Sequence, residues 1–169
     1  MLLTRIVQKQ EPIYDSAFIQ RWIVQKYANK EPKLLTGDLD LDLKADQILT
    51  LSEGLLDAYV LAAFESKRDK SKQSSEWLAR QQRKIDGGLQ AFEKLVEAAE
   101  PSKYLLGDTY TIADIAVACG VAQIEFSKFR EGWREKYPKL AKWYEVMEAR
   151  PHYKETYPVM FDLKDSVVS

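Results

Sequence analysis

Between Ile112 and Ala122 the chain runs Ile-Ala-Asp-Ile-Ala-Val-Ala-Cys-Gly-Val-Ala, with one charged residue in eleven. A helix that is apolar on every side has to be buried on every side, so this segment requires other elements packed around it. The flanking sequence supplies them. From Lys44 to about Lys67, apolar residues at 48, 51, 55, 58, 59, 62 and 63 recur at spacings of three and four, which predicts one long amphipathic helix. A second long helix is expected from about Ser75 to Ala99, with Trp77, Leu78, Ile85, Leu89, Phe92, Leu95 and Val96 on its apolar face and Pro101 after its end. Gly87-Gly88 lies inside that run; each glycine costs ~1 kcal/mol of helix propensity, which argues for a close approach by another backbone. Tyr137-Pro138 opens a further amphipathic helix carrying Leu140, Trp143, Tyr144 and Met147, Arg150-Pro151 stops it, and Tyr153 to Tyr157 reads as a last short turn of helix.

The first 14 residues read differently. Leu2-Leu3 and Ile6-Val7, a polar stretch from Gln8 to Glu11, and Pro12-Ile13-Tyr14 predict two short strands around a turn. Asp15-Ser16 then caps a helix with apolar residues at 18, 19, 22, 23 and 27. Residues 28 to 43 hold Pro32, Gly37 and the alternation Asp38-Leu39-Asp40-Leu41-Asp42-Leu43, read as a connector with a weak strand signal. The expected class is mainly α: a bundle of about five or six helices around one central apolar helix, preceded by two strands and a helix.

Charge and composition exclude several functions. The 25 Lys+Arg against 26 Asp+Glu leave a net charge of -1, so no electrostatic footprint for nucleic acid or an anionic membrane is expected. One cysteine and one histidine make neither an internal disulfide nor a structural zinc site. No metal site is expected. The start has no sustained apolar region of the signal-peptide kind, and no stretch is read as the ~20 apolar residues needed to span a bilayer. These readings together point to a cytoplasmic location.

The most specific local signal is Tyr110-Thr111-Ile112-Ala113-Asp114-Ile115. Thr111 is placed to cap the amide at 114 while Asp114 reaches back to the amide of 111, a capping box with Asp in the usual Glu position. Tyr110 and Ile115 stand where the accompanying hydrophobic staple would form. Asp114 is therefore read as structural. Cys119 is expected as a small buried hydrophobe, His152 as a surface residue, and Trp22, Trp77, Trp133 and Trp143 mostly as core. Asp15-Ser16 has two readings: a plain helix cap, or a site where a helix N-terminus favours a carboxylate and an acidic side chain favours an ammonium.

With these residues in view, the chain resembles the glutathione transferase superfamily over nearly its whole length. The resemblance rests chiefly on Gly107-Asp108-Thr109-Tyr110-Thr111-Ile112-Ala113-Asp114, with Tyr14-Asp15-Ser16 before a helix, the long helix pair, Tyr137-Pro138-Lys139-Leu140, Trp143 and Arg150-Pro151. It implies part of a thioredoxin-like domain over 1–30, a linker over 31–43, an all-helical C-terminal-type domain over 44–160 and a tail over 161–169. It further implies that Asp15 and Ser16 contact the γ-glutamyl end of glutathione, that Tyr59 and Phe64 lie on the helix lining a pocket for hydrophobic small-molecule electrophiles, and that the protein forms a homodimer through 16 to 27 and 44 to 67. Glutathione enters as substrate, with no cofactor. The departure from the family lies at the chemistry: the residue that stabilises the glutathione thiolate and the cis-proline of the third strand both map upstream of Met1, and no residue is assigned a catalytic role. The expected function is that of a glutathione transferase-like protein lacking its catalytic residue, or alternatively a non-catalytic module binding a protein or a small molecule.

Overall fold

The computed structural model describes residues 13–31 and 33–157, and within them the protein is mainly helical. In order come α1 (Ser16–Lys26), α2 (Leu39–Lys67), a single 3-10 turn (Lys70–Lys72), α3 (Ser75–Ala99), α4 (Ile112–Ser127), α5 (Trp133–Lys136), α6 (Pro138–Glu148) and α7 (Pro151–Glu155). No strand forms among the described residues; the only ladder element there is an isolated antiparallel bridge between Tyr104 and Gly107. The two strands expected over 1–14 fall almost wholly outside the described residues, as does the tail over 161–169, while Ile13 and Tyr14 are irregular.

The alternating segment before Lys44 is not a strand or an open connector. It is the first turns of α2, which begins at Leu39. Asp38 caps it, its carboxylate accepting from the amides of Asp40 and Leu41, each at 3.0 Å. Asp42 reaches back to the Thr36 hydroxyl at 2.7 Å and the Thr36 amide at 2.8 Å. Three aspartates near a helix start favour the positive end of its dipole, so the same acidic residues that mimic a period of two specify a helix N-terminus. The connector is fastened at its other end too, where the Ile112 amide donates to the Leu34 carbonyl at 3.1 Å.

α2 and α3 run side by side, and α4 lies against both. Of α4, Ile112, Ala113, Ala116, Val117, Ala118, Val121 and Ile124 are buried, in one core with Ile48, Leu49 and Leu55 of α2, Ile85, Leu89 and Phe92 of α3, and Leu140, Tyr144 and Met147 of α6. Two glycines set the closeness of the packing. A Cβ on Gly88 would sit 2.7 Å from Leu55 Cδ1, so the close approach lies between α3 and an α2 side chain; Gly87 has nothing within 4 Å. Gly120 of α4 would meet Ser52 Oγ at 2.9 Å and Phe92 at 3.3 Å. At the far end, buried Glu65 accepts from the Ser74 amide at 2.7 Å and pairs with Arg68, which ties the end of α2 to the start of α3. The hydrogen bonds hold its carboxyl below the usual glutamate value.

By length and apolarity alone α2 matches a membrane span, with a mean hydropathy of 1.2 over its best 18 residues. The match comes from a stripe buried against α3 and α4 together with the exposed Val60, Leu61 and Phe64.

Candidate functional site

The site begins with a strained residue. Asp15 has φ 74 and ψ 126, a conformation that costs a non-glycine residue of order 1–3 kcal/mol and that concentrates at ligand sites. Its carboxylate accepts from the Phe18 amide at 2.9 Å and so caps α1. Helix geometry leaves the amides ahead of Phe18 without intrahelical carbonyls, and they open at the positive end of the helix. α1 is locked on α2 by the Arg21–Asp46 ion pair at 3.0 Å and by Arg21 donating to Thr50 at 3.3 Å. Ser16 donates its hydroxyl to Glu53 at 3.1 Å.

Where α1, α2 and α4 converge there is a cavity of about 260 Å³. α1 lines it with Asp15, Ser16 and Gln20; α2 with Leu49, Ser52, Glu53, Leu56 and Asp57; α4 with Ala116 and Cys119. The polar lining is carboxylates, hydroxyls, one amide and one thiol. Among the described residues, no group of three or more His, Cys, Asp or Glu is arranged to hold a metal ion.

Cys119 is the main correction. Its residue surface is exposed, not buried: α4 is enclosed on all sides but one, and the open stripe carries Cys119 to the cavity. The thiol is nonetheless flanked closely enough by protein that burial pushes its pKa up. A thiol held that way stays protonated at neutral pH and is a poor nucleophile.

Tyr59 and Phe64 do not join this cavity. Tyr59 is half-buried with its ring edge-on to Phe129, centroids 5.5 Å apart, and Phe64 is 66% exposed. The stripe of α2 that faces the cavity is that of Leu49, Glu53 and Leu56. His152 is exposed, Trp133 and Trp143 are buried, Trp22 is half-buried, and Trp77 is exposed rather than core.

Below the cavity sits the cap of α4. Asp114, fully buried, accepts from the Leu105 amide at 2.9 Å, the Thr111 amide at 2.8 Å and the Thr111 hydroxyl at 3.1 Å, and the same hydroxyl accepts from the Ala113 amide at 3.3 Å within a complete capping box. Burial pushes the Asp114 carboxyl up despite these bonds. Tyr110 packs edge-on to Tyr104 and lies 3.9 Å from the Arg150 guanidinium, while Ile115 is half-buried.

The residues that sequence reasoning missed are Glu53 and Asp57. Their only signal was two carboxylates four apart in an otherwise apolar stretch, Ser52-Glu53-Gly54-Leu55-Leu56-Asp57, which places both on one helix face.

Residues 75–146 match the family model described as the glutathione S-transferase C-terminal domain. The uncharacterized GST-like protein YibF of Escherichia coli K12 is 30% identical over 154 residues, spanning 90% of this chain and 73% of that protein. Among solved structures, a glutathione S-transferase of Methylobacterium radiotolerans in complex with glutathione sulfonate is 34% identical at a TM-score of 0.80, covering 91% of this chain and 70% of that one. A glutathione S-transferase of Methylobacillus flagellatus with glutathione bound is 30% identical at a TM-score of 0.76, covering 88% and 71%.

Proposed function

This chain belongs to the glutathione S-transferase family, and from that premise we propose that the cavity between α1, α2 and α4 holds the γ-glutamyl end of glutathione. The observation that carries the reading is the joint placement of Asp15 and Ser16, at a strained helix start, on the wall of one cavity. The ligand's carboxylate is matched by the open amides of α1 and its ammonium by the Asp15 carboxylate. On this reading the residues up to 30 are the end of a thioredoxin-like domain and α2 through α7 the helical domain. The family reaction is attack of glutathione sulfur on an electrophile. We assign no residue of this chain to activating that sulfur, since activation needs a donor within ~3 Å of it and the Cys119 thiol of the cavity is itself kept protonated. Tyr59 and Phe64 remain the proposed contacts for a hydrophobic electrophile, outside this cavity.

Titration calorimetry with glutathione tests the reading. Binding is expected, weakened about tenfold by Asp15→Asn through loss of one charged hydrogen bond, with no turnover of a chloronitrobenzene. An unchanged affinity in the variant removes Asp15 from the site, and turnover above the uncatalysed rate overturns the missing-donor reading.

We further propose a cytoplasmic homodimer that pairs through residues 16 to 27 and 44 to 67, where Phe18, Ile23, Val60 and Leu61 are exposed. Light scattering at micromolar concentration should give twice the chain mass of 19.5 kDa; a monomer would count against the pairing.

A further inference from the structure

α4 is apolar almost all round, yet its neighbours leave one stripe of it uncovered: Ile115, Gln123 and Phe126 are half-buried and Cys119 is exposed. At steps of four, four and three, these residues share one helix face. The described residues end on that face. Tyr157 sets its ring edge-on to Phe126, centroids 5.9 Å apart, and is itself 44% exposed. Next in the sequence comes Pro158-Val159-Met160-Phe161-Asp162-Leu163-Lys164. A residue ahead of proline is held to extended backbone, so Tyr157 directs the segment to start extended. In an extended run alternate side chains share a side, which puts Val159, Phe161 and Leu163 together and Met160, Asp162 and Lys164 opposite them. One side is wholly apolar and the other mostly charged.

We propose that residues 158–164 lie as an extended strap along the open stripe of α4, running from Phe126 back towards Ile115 with Val159, Phe161 and Leu163 turned to the helix. The lengths fit. From Phe126 to Cys119 the helix rises about 10 Å at ~1.5 Å per residue, and from Tyr157 to Phe161 an extended chain covers about 13 Å at ~3.3 Å per residue. Phe161 therefore comes to rest at Cys119 and Leu163 near Ile115, while the Gln123 amide, level with Val159, can exchange hydrogen bonds with the strap's backbone. Removal of the three apolar side chains from water drives the docking, and the strap completes the enclosure that the composition of α4 demands. The N-terminal segment is worse placed. It joins the fold beside Asp15, on the α1 wall of the cavity, and would reach the stripe only from across it.

Cys119, the one cysteine of the chain, reports on the strap. In the 169-residue protein without glutathione, Phe161→Ser or a stop after Tyr157 should raise its rate with dithiobis(nitrobenzoic acid) about tenfold, as for a strap seated in about nine molecules of ten. Val168→Ser, beyond the alternating run, should leave the rate unchanged. Under mild oxidation Phe161→Cys should form a disulfide with Cys119 within one chain, since the pairing brings the two Cα atoms into the ~4.4–6.8 Å that a disulfide spans; Val168→Cys should not. Equal labelling of the wild type and the shortened chain overturns the strap. So does a rate raised by Ile6→Ser instead of Phe161→Ser, which would assign the stripe to the N-terminal segment. A disulfide formed between chains and not within one overturns it as well, and assigns the stripe to a second copy.

Discussion

Asp114→Ala should lower the free energy of unfolding by about 4 kcal/mol, the cost of stranding two buried amides and a hydroxyl at ~1–3 kcal/mol each after partial relaxation. The Leu105 and Thr111 amides and the Thr111 hydroxyl all donate to this one carboxylate, and Thr111 and Asp114 are fully buried, so water cannot take its place. Asp114→Asn keeps one acceptor oxygen and should lose about half as much. The pH dependence has a definite sign. Burial raises the folded-state pKa of Asp114 above its ordinary value of 3.8, so the folded protein holds a proton there more readily than the unfolded chain. The resulting stability is fully present below the ordinary value and is lost as pH climbs through the raised one. The advantage of wild type over Asp114→Asn should therefore be larger at acid pH than at neutrality. Urea denaturation at two pH values reads both effects; an alanine variant within about 1 kcal/mol of wild type would remove the carboxylate from the account of how α4 is held.

The cap was legible in the sequence because its partners lie within four residues of one another, so local chemistry alone specifies it. The bond from Leu105, and the Thr111 hydroxyl's taking the Ala113 amide in place of the amide at 114, had to wait for the structure. The long helices were legible for a similar reason, each carrying its own period. The start of α2 was not, because Asp-Leu alternation satisfies a period of two as well as it satisfies an acidic helix N-terminus, and the leucines there are mostly exposed: Leu39 at 73% and Leu43 at 53%. Burial could not arbitrate. Cys119 was misread because the average character of an apolar run does not reveal the single stripe that neighbouring helices leave uncovered. Glu53 stayed hidden for a different reason. Its hydrogen-bond partner Ser16 lies in another helix and meets it only once α1 has docked on α2 through Arg21. Tyr59 illustrates the converse: an aromatic on the right helix is placed by its angle around the axis, and that angle turns it to Phe129.

Gly120→Ala is expected to cost about 2 kcal/mol even though alanine is the better helix former by ~1 kcal/mol, because overpacking a tight core contact typically costs ~1–3 kcal/mol. The added methyl would stand 2.9 Å from Ser52 Oγ and 3.3 Å from Phe92 Cε2. Ser52 has little freedom to retreat, since its hydroxyl donates to the Ala116 carbonyl at 2.6 Å, one helical turn before Gly120. The notch at Gly120 and the hydroxyl that fills it are thus one device joining α2 to α4. Ser52→Ala alone should cost about 1 kcal/mol, because Ala116 O keeps its intrahelical bond and only one buried hydrogen bond is lost. Combining the two changes removes the nearer clash while Phe92 remains, so the double variant should be more stable than the sum of the singles by about 1 kcal/mol or more. A double-mutant cycle in urea measures that coupling. Strict additivity would show that Gly120 is kept for Phe92 alone and that Ser52 does not set the spacing of α2 and α4. The same spacing fixes the width of the cavity, since Ser52 and Ala116 both line it, so a Gly120→Ala protein that folds should also bind glutathione more weakly than the wild type.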